Sequence, residues 1–274
     1  MHGVTTFFDE AEQKAPPSRT ARARAWLADA AKTLVELVFP PTCLACRAAT
    51  AEADGLCPKC WGAMGFIERP YCERLGTPFE QDLGLDLGEP RLSRQAVDDP
   101  PVFRRARAVA VFADGPARRL VHRLKYSDRA ELARPMGVWM ARAGAELLIE
   151  ADVVTPMPLH RLRLWSRRFN QAAALARETA RAAGKPYAPA LLQRVVSTRT
   201  QVGLTRRQRA ENVQGAFRAA PGAPIEGRRI VLIDDVLTSG ATANAASRAL
   251  LRAGAAQVDV LVFARVVGAG RLSI

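Results

Sequence analysis

The sequence predicts an α/β protein whose core is a parallel sheet, with a small cysteine module in its N-terminal part. The second half of the chain alternates strand-like and helix-like segments, and the segments 228–236 and 257–266 are continuous apolar runs. Such runs are typical of parallel strands that helices cover on both faces. The cysteine module is predicted from two CxxC pairs within residues 43–60. A length of 274 residues accommodates both parts.

The individual elements follow from apolar periodicity and from residues that end helices. Strands are predicted at 107–112, 152–158, 228–236 and 257–266, and helices at 117–125, 132–148, 169–183 and 241–253. The last two helices are closed by Gly184 and Gly254. A further helix from Thr20 to Val38 is stopped by Pro40 and Pro41. No internal repeat is evident in the sequence.

These elements divide the chain into four parts. We expect a mobile leader at 1–18, a helix and a zinc module at 19–75, a linker rich in Gly, Pro, Asp and Glu at 76–101, and the α/β domain at 102–270. No apolar run approaches the roughly 18 residues that span a bilayer. The first residues also lack the cationic and apolar regions of a secretion signal. We therefore expect a cytoplasmic protein without a membrane span.

The chain is strongly basic, with 40 Lys and Arg residues against 27 Asp and Glu and a formal charge of +13. One interpretation is codon composition, because a GC-rich coding genome produces proteins rich in Arg and Ala. The other is a polyanion partner, because the guanidinium fork suits phosphate groups. Cations cluster at 161–168 and 199–209, but the only aromatic residues nearby for base stacking are Trp165 and Phe169.

Four cysteines have the spacing of a tetrahedral structural zinc site, since each CxxC pair chelates from one tight turn: Cys43, Cys46, Cys57 and Cys60. The alternatives are a thioredoxin-like redox pair, which needs a CxxC opening a helix in a βαβ unit, and disulfides, which need an exported chain. Four thiolates leave no open coordination position, so the predicted role is folding rather than catalysis. Cys72 stands alone, because Leu75 occupies the place of a second sulfur. We expect Cys72 to be a buried or bystander thiol that binds no metal.

The segment 230–242 carries the clearest chemistry. A predicted buried strand ends in Asp234 and Asp235, and a loop of small and hydroxyl residues leads into the next helix. Ligands of open α/β sheets bind at the carboxyl ends of strands, and helix N-termini bind phosphate. Two carboxylates beside a phosphate site would repel the phosphate alone. Their presence therefore predicts that they bind the hydroxyl groups of a phosphorylated sugar, while a divalent cation balances the charge elsewhere on that ligand. The alternative is a structural junction in which one Asp forms the turn and one Thr or Ser caps the helix. This alternative does not explain why two acids, the hydroxyl residues and the glycine occur together.

This segment resembles the phosphoribosyl pyrophosphate signature of type I phosphoribosyltransferases, namely an apolar strand, Asp-Asp, an apolar residue and T-[ST]-G-x-T. Other segments are similar to those of the ComF family, which includes competence factor ComFC and GntX-type proteins. They are LVFPPTCLAC before and within the cysteine module, HRLKY at 122–126, PMPLHRLRLWSRRFNQAAALA at 156–176 and TRTQVGLTRRQRAENVQGAF at 198–217. The resemblance spans residues 34–266 and implies a type I phosphoribosyltransferase-like core with an N-terminal zinc module.

The resemblance and the chemistry together imply roles for the site residues. Asp234 and Asp235 are expected to bind the ribose hydroxyls and to be the catalytic pair of an active enzyme. The 5-phosphate is expected at Thr238, Ser239, Gly240, Ala241 and Thr242, and pyrophosphate with magnesium near the backbone of Met157, Pro158 and Leu159. Arg167, Arg168 and Lys125 either neutralise the pyrophosphate or belong to a solvated basic face. The Arg-rich stretch 199–209 is expected to close over the ligand or to contact a polyanion.

Three hypotheses about function remain open. The resemblance implies that the protein binds phosphoribosyl pyrophosphate or a related sugar phosphate and acts in DNA uptake, natural transformation or DNA processing. In that hypothesis, basic loops hold single-stranded DNA and the zinc module docks a protein partner. The alternative is an active phosphoribosyltransferase that moves ribose 5-phosphate to a nucleobase-like acceptor. The third is a regulator that senses the sugar phosphate without turnover.

Overall fold

The computed structural model describes residues 40–79, 91–126, 130–159, 170–196 and 213–268, with Thr20, Trp26 and Gln208 as single residues. The predicted leader at 1–18, most of the helix at 20–38, Arg167, Arg168 and nearly all of 199–209 therefore lie outside the described residues. The chain forms two compact units, Met1–Pro41 and Thr42–Ile274. The second unit contains every element discussed below.

The described part of this unit contains strands β1 Ala106–Val111, β2 Val153–Pro156, β3 Leu192–Arg194, β4 Phe217–Ala219, β5 Arg229–Leu237 and β6 Gln257–Arg265. Four of them form a parallel sheet in the order β1-β6-β5-β2, and β3 and β4 form an antiparallel pair. Pro156 is level with Ile233, and Leu237 is level with Arg265. The carboxyl ends of β2, β5 and β6 therefore meet at one edge of the sheet, and the predicted parallel α/β core is confirmed.

The helices in the described residues are α1 Pro58–Gly62, α2 Arg94–Asp98, α3 Pro116–Tyr126, α4 Ala133–Ala143, α5 Ala145–Glu150, α6 Gln171–Ala182 and α7 Ala241–Arg252, with a 3-10 turn at Ala130–Leu132. Alternate residues of the central strands bury opposite faces, as Ile230 and Val231 show. The core on the Val231 face includes α3, α4 and α6, whereas α7 and the β3–β4 pair lie on the Ile230 face. Both faces are covered, which explains the continuous apolar runs of β5 and β6.

The single helix predicted at 132–148 is wrong, because the structure contains α4 and α5 with Gly144 between them. A Cβ atom at Gly144 would lie 2.5 Å from Cδ2 of Leu261 in β6. The chain therefore needs glycine where it passes the sheet, and a separate helix begins at Ala145. Periodicity alone did not reveal this break, because the apolar pattern continues through it.

The predicted linker at 76–101 contains regular structure where it is described. Residues 76–79 complete a short antiparallel bridge between Tyr71 and Pro78, and α2 lies at Arg94–Asp98. The outer edge of β1 is also covered, because the Ile67 N–H donates to the Val109 carbonyl at 3.0 Å. No helix in the described ranges is long and apolar enough to cross a membrane.

Candidate phosphate-binding site and zinc module

The two predicted acids lie near the carboxyl end of β5, after the buried run 230–233. The chain then passes through Thr238 and Ser239 into α7. Gly240, the residue before α7, has a φ of 79°, a left-handed conformation that side chains disfavour. No side-chain cap is formed at this end of α7 within the described residues. The first N–H groups of the helix therefore point toward a place where an oxyanion would be stabilised.

Asp234 and Asp235 differ in their partners. Lys125, near the end of α3, places Nζ 2.8 Å from Oδ2 of Asp235. Asp234 Oδ1 accepts the backbone N–H of Asp235 at 2.9 Å. Burial and the Asp235 carboxylate raise the pKa of Asp234 to about 7, against opposing contributions from the Asp235 N–H, Lys125 and Arg194. The pair can therefore gain or lose a proton near neutral pH.

The end of β2 brings a second predicted segment to the same edge. Pro156 pairs with Ile233, so the next residue of the chain, Met157, follows the strand at the level of the acid pair. The Met157 N–H donates to the Ile233 carbonyl at 2.8 Å. Asn170 fixes this turn from the start of α6: its Nδ2 donates to the Met157 carbonyl at 3.1 Å, while its Oδ1 caps the helix by accepting from Ala173 N–H. The structure thus brings Met157, Pro158 and Leu159 to the carboxyl edge that also carries Asp234 and Asp235.

The four cysteines of the zinc module lie together, with their sulfur atoms within 4.8 Å of one another: Cys43, Cys46, Cys57 and Cys60. Burial raises the pKa of Cys43, but backbone N–H groups of Cys46, Cys57 and Ala45 outweigh it and lower the pKa to about 6. Burial, together with the neighbouring sulfurs, raises the pKa of Cys60 to about 12. Four adjacent thiols do not all ionise unaided, and the donor set fits Zn²⁺, which binds such thiolates tetrahedrally.

Helix α3 connects this cysteine cluster to the acid pair. Arg119 donates from Nη2 to Cys60 Sγ at 3.8 Å, and Arg123 donates to the backbone carbonyl of Leu44. Two turns of the same helix therefore contact the zinc module, while Lys125 reaches Asp235. The same helix thus contacts both the cysteine cluster and the acid pair.

A second ribbon with the same backbone follows the first. The first ribbon, residues 42–64, has a Thr42–Ala49 bridge and a Cys43 N–H that donates to the Ala48 carbonyl at 2.7 Å. The second ribbon, residues 71–79 and 91–99, has a Tyr71–Pro78 bridge and a Cys72 N–H that donates to the Thr77 carbonyl at 2.8 Å. The two ribbons therefore form a structural repeat, although no repeat is evident in the sequence.

The equivalence extends to the ends of both ribbons. Leu44 N–H donates to the Gly55 carbonyl at 3.0 Å, and Glu73 N–H donates to the Arg91 carbonyl at 2.9 Å. Cys57 caps α1 by accepting from the Cys60 N–H, just as Ser93 caps α2 by accepting from the Ala96 N–H. The positions of Cys43, Cys46, Cys57 and Cys60 are thus taken by Cys72, Leu75, Ser93 and Ala96 in the second ribbon.

The second ribbon is held by packing and hydrogen bonds in place of a metal. Leu75 and Ala96 are buried, and the Sγ of the buried Cys72 accepts from both the N–H and the hydroxyl of Ser93 at 3.3 Å. One thiol among these side chains is not a zinc site. Cys72 is therefore the remaining counterpart of a ligand, and the structure confirms that it is buried.

Sequence reasoning missed several residues at the site. Asn170 fixes the turn after β2, and Arg194 of β3 acts on Asp234 across the site. Asn170 belonged to the family-like Phe-Asn-Gln segment, so its cap position was a usable signal. Arg194 had no local signal, because only the fold brings β3 near β5.

Two family models match the chain: a double zinc ribbon domain at residues 34–90 and a phosphoribosyl transferase domain at 171–271. The chain is 32% identical over 238 residues to DNA utilization protein YhgH of Salmonella typhi, which covers 84% of this chain and 100% of that protein. It is 27% identical over 241 residues to competence protein F of Haemophilus influenzae, covering 81% of this chain and 96% of the relative. The chain is also similar to a solved structure of the allosteric regulatory enzyme of purine biosynthesis, with 26% sequence identity and a TM-score of 0.36. The match covers 52% of this chain and 30% of the chain of that enzyme.

Proposed function

Because the chain belongs to the ComF family, together with DNA utilization protein YhgH and competence protein F, we propose that it binds phosphoribosyl pyrophosphate or a related sugar phosphate and serves DNA uptake or utilization. The observation that carries the proposal is one sheet edge with three complementary parts. These are the Asp234–Asp235 pair, the loop 238–242 at the start of α7, and the turn 157–159 after β2. They match, in order, the hydroxyls, the 5-phosphate and the pyrophosphate of such a ligand.

Different residues of this sheet edge bind different parts of the ligand. The N–H groups at the start of α7 and the hydroxyls of Thr238 and Ser239 hold the phosphate, and Gly240 lets it approach the backbone. Asp234 and Asp235 accept the ribose hydroxyls, and the ion pair with Lys125 orients the Asp235 carboxylate. Magnesium, which we propose is bound with the pyrophosphate, takes oxygen ligands, and this edge offers carboxylates and backbone carbonyls.

A second candidate function is phosphoribosyl transfer itself. It is favoured by the phosphoribosyl transferase match over 171–271 and by the Asp234 pKa of about 7, because a group with that pKa can accept a proton from an acceptor at physiological pH. In that reaction, the bond between the anomeric carbon and pyrophosphate breaks as the acceptor bonds to the same carbon. The chain would supply positioning and charge stabilisation rather than a nucleophile.

Calorimetric titration of the full, zinc-loaded chain with phosphoribosyl pyrophosphate and magnesium tests the proposal. We expect binding that the Asp234→Asn, Asp235→Asn double variant weakens at least about tenfold, since two charge-assisted hydrogen-bond acceptors are lost. Asp114→Asn is the matched control, because its carboxylate is exposed and pairs with Arg118 on α3. Equal affinity of the double variant and the control would overturn the site assignment.

Two further measurements separate the roles in DNA handling and catalysis. Binding of a single-stranded oligonucleotide at low and high salt should weaken steeply with salt if the basic chain holds the phosphate backbone. Pyrophosphate release in the presence of each common nucleobase would show an active transferase. Ligand binding with salt-sensitive DNA binding and no pyrophosphate release is the outcome that favours a DNA-handling role.

A further inference from the structure

A small cleft lies between the phosphate loop and the second ribbon. Its walls include Ser239 and Gly240 of the loop, Leu75 and Gln95 of the second ribbon, and Arg265 at the end of β6. Arg265 is level with Leu237 in the neighbouring strand, so the fold brings its side chain to the loop although 23 or more residues of sequence separate them. The cleft therefore joins one cationic side chain to the loop proposed above to bind phosphate.

Arg265 is a buried cation with unused hydrogen-bond donors on two of its three guanidinium nitrogens. Only 4% of the residue is exposed, and its Nε and Nη1 have no hydrogen-bond partner among the described residues. The Oγ of Ser239 is likewise buried without a partner in that part of the chain. Buried polar groups in proteins are nearly always hydrogen-bonded, so donors left open on both sides of one cleft indicate a missing acceptor.

The neighbouring charges do not supply that acceptor. Burial lowers the pKa of Arg265 to about 10, and Cys72 is the only described group that opposes this effect. The Cys72 sulfur already accepts two hydrogen bonds from Ser93. Asp99 also lines the cleft, but it has an interaction of its own and does not contribute to the pKa of Arg265. Arg265 remains a cation at neutral pH, and its charge lacks a close counterion in the described structure.

We propose that Arg265 is a phosphate-binding residue, which reaches the loop 238–242 from the neighbouring strand and is held in position by the metal-free second ribbon. The proposal rests on the proposed function for the identity of the ligand, a sugar phosphate. The guanidinium offers charged N–H donors to a phosphoryl group, and the start of α7 offers its N–H groups to the same group. Leu75 of the ribbon and the neighbouring Phe103 are buried along the cleft, and the low-dielectric wall that they form makes these hydrogen bonds strong.

The experiment compares Arg265→Met and Arg265→Lys with the wild-type chain. By titration with ribose 5-phosphate, Arg265→Met should raise Kd at least about tenfold, and Arg265→Lys should raise it less, since a lysine keeps the charge but not the fork. Arg252→Met is the matched control, because it removes one exposed cation at the far end of α7. Its Kd should stay within about twofold of wild type.

Thermal unfolding in phosphate-free buffer provides a second readout. Removing an unpaired buried charge should leave the melting temperature of Arg265→Met equal to or above that of wild type, while the stabilisation by added inorganic phosphate is lost. A structural role predicts the opposite, a lower melting temperature with unchanged ligand affinity, and that result overturns the proposal.

The two proposals fail in different ways. If the wild-type chain does not bind ribose 5-phosphate, the proposed function fails, and the inorganic phosphate series still tests Arg265. If wild type binds ribose 5-phosphate and both Arg265 variants bind it equally well, only the role of Arg265 is refuted. If Arg265→Met does not fold, the Kd of Arg265→Lys for ribose 5-phosphate is compared with that of wild type instead. An unchanged Kd then refutes the role of Arg265.

Discussion

The protonation of Asp234 should make sugar-phosphate binding depend on pH. With a pKa of about 7, Asp234 is mostly protonated at pH 6 and mostly ionised at pH 8. An ionised carboxylate accepts hydrogen bonds from ribose hydroxyls more strongly than a neutral acid does. If only the ionised form binds, the affinity should rise about tenfold between pH 6 and pH 8, because the ionised fraction rises by that factor.

The charges around Asp234 determine how this profile moves in variants. Asp235 raises its pKa and Lys125 lowers it, while Arg194 also acts from β3. Asp235→Asn should therefore move the binding profile to lower pH, and Lys125→Met should move it to higher pH. Both variants bind more weakly overall, so the midpoint of each profile is compared rather than the affinity.

The assay is calorimetric titration of ribose 5-phosphate at several pH values between 6 and 8. The phosphate group itself titrates near pH 6, which affects every variant equally. Asp234→Asn provides the control, because its amide cannot ionise while the fold and the ligand stay the same. An Asp234→Asn profile parallel to that of wild type would refute the reasoning.

The same pKa makes a prediction about stability. The folded-state pKa of about 7 lies above the ordinary value of 3.8 for an aspartate, so between these two pH values the folded state keeps a proton that the unfolded chain releases. The contribution of Asp234 to the free energy of unfolding is therefore fully present below about pH 4 and is lost as the pH rises toward 7. At pH 8, Asp234→Asn should raise the free energy of unfolding by at most about 4 kcal/mol, and partial exposure of Asp234 reduces this figure.

Two more predictions concern the ribbons. The full chain should bind one zinc ion, and a variant with Leu75→Cys, Ser93→Cys and Ala96→Cys should bind two, as measured by elemental analysis after reconstitution; two ions in the wild-type chain would contradict the metal-free second ribbon. Gly76→Ala should lower the free energy of unfolding in urea by more than about 2 kcal/mol, because Gly76 has a φ of 63° and its Cβ would lie 2.4 Å from the Ala106 carbonyl oxygen. Gly62→Ala is the control, because a Cβ there meets nothing within 4 Å; an equal loss in both variants would show that the contact with Ala106 is not the cause.

The parts of the site that are contiguous in sequence were predictable. The strand, the two acids, the glycine and the helix start all lie within residues 230–242, so one local pattern contains the whole arrangement. The first ribbon was predictable for the same reason, because its ligands lie within residues 43–60. In both cases the chemistry depends on residue types at a fixed short spacing, and such a spacing can be recognised in the sequence without knowledge of the fold.

The parts that depend on register and on backbone shape were not predictable. Arg265 reaches the loop only because β6 lies beside β5 and pairs it with Leu237. The second ribbon kept the hydrogen bonds of the first while its ligand positions changed to Leu75, Ser93 and Ala96. A sequence comparison of the two ribbons therefore finds a lone cysteine, whereas the backbone of the described residues shows the repeat.

The two ribbons contact the site from opposite faces of the sheet. Cys43 and Cys60 are buried with α3 in the core on the Val231 face, and α3 brings Lys125 to Asp235. Cys72 and Leu75 are buried with α7 in the other core, next to Arg265 and the phosphate loop. The ribbon that supports the acid pair carries the four clustered cysteines, and it contacts α3 through the Cys60 sulfur and the Leu44 carbonyl. In the ribbon beside the phosphate loop, Leu75, Ser93 and Ala96 occupy three of the four ligand positions. The buried Leu75 keeps water away from the cleft, and this low-dielectric wall strengthens the hydrogen bonds that we propose between Arg265 and an anion.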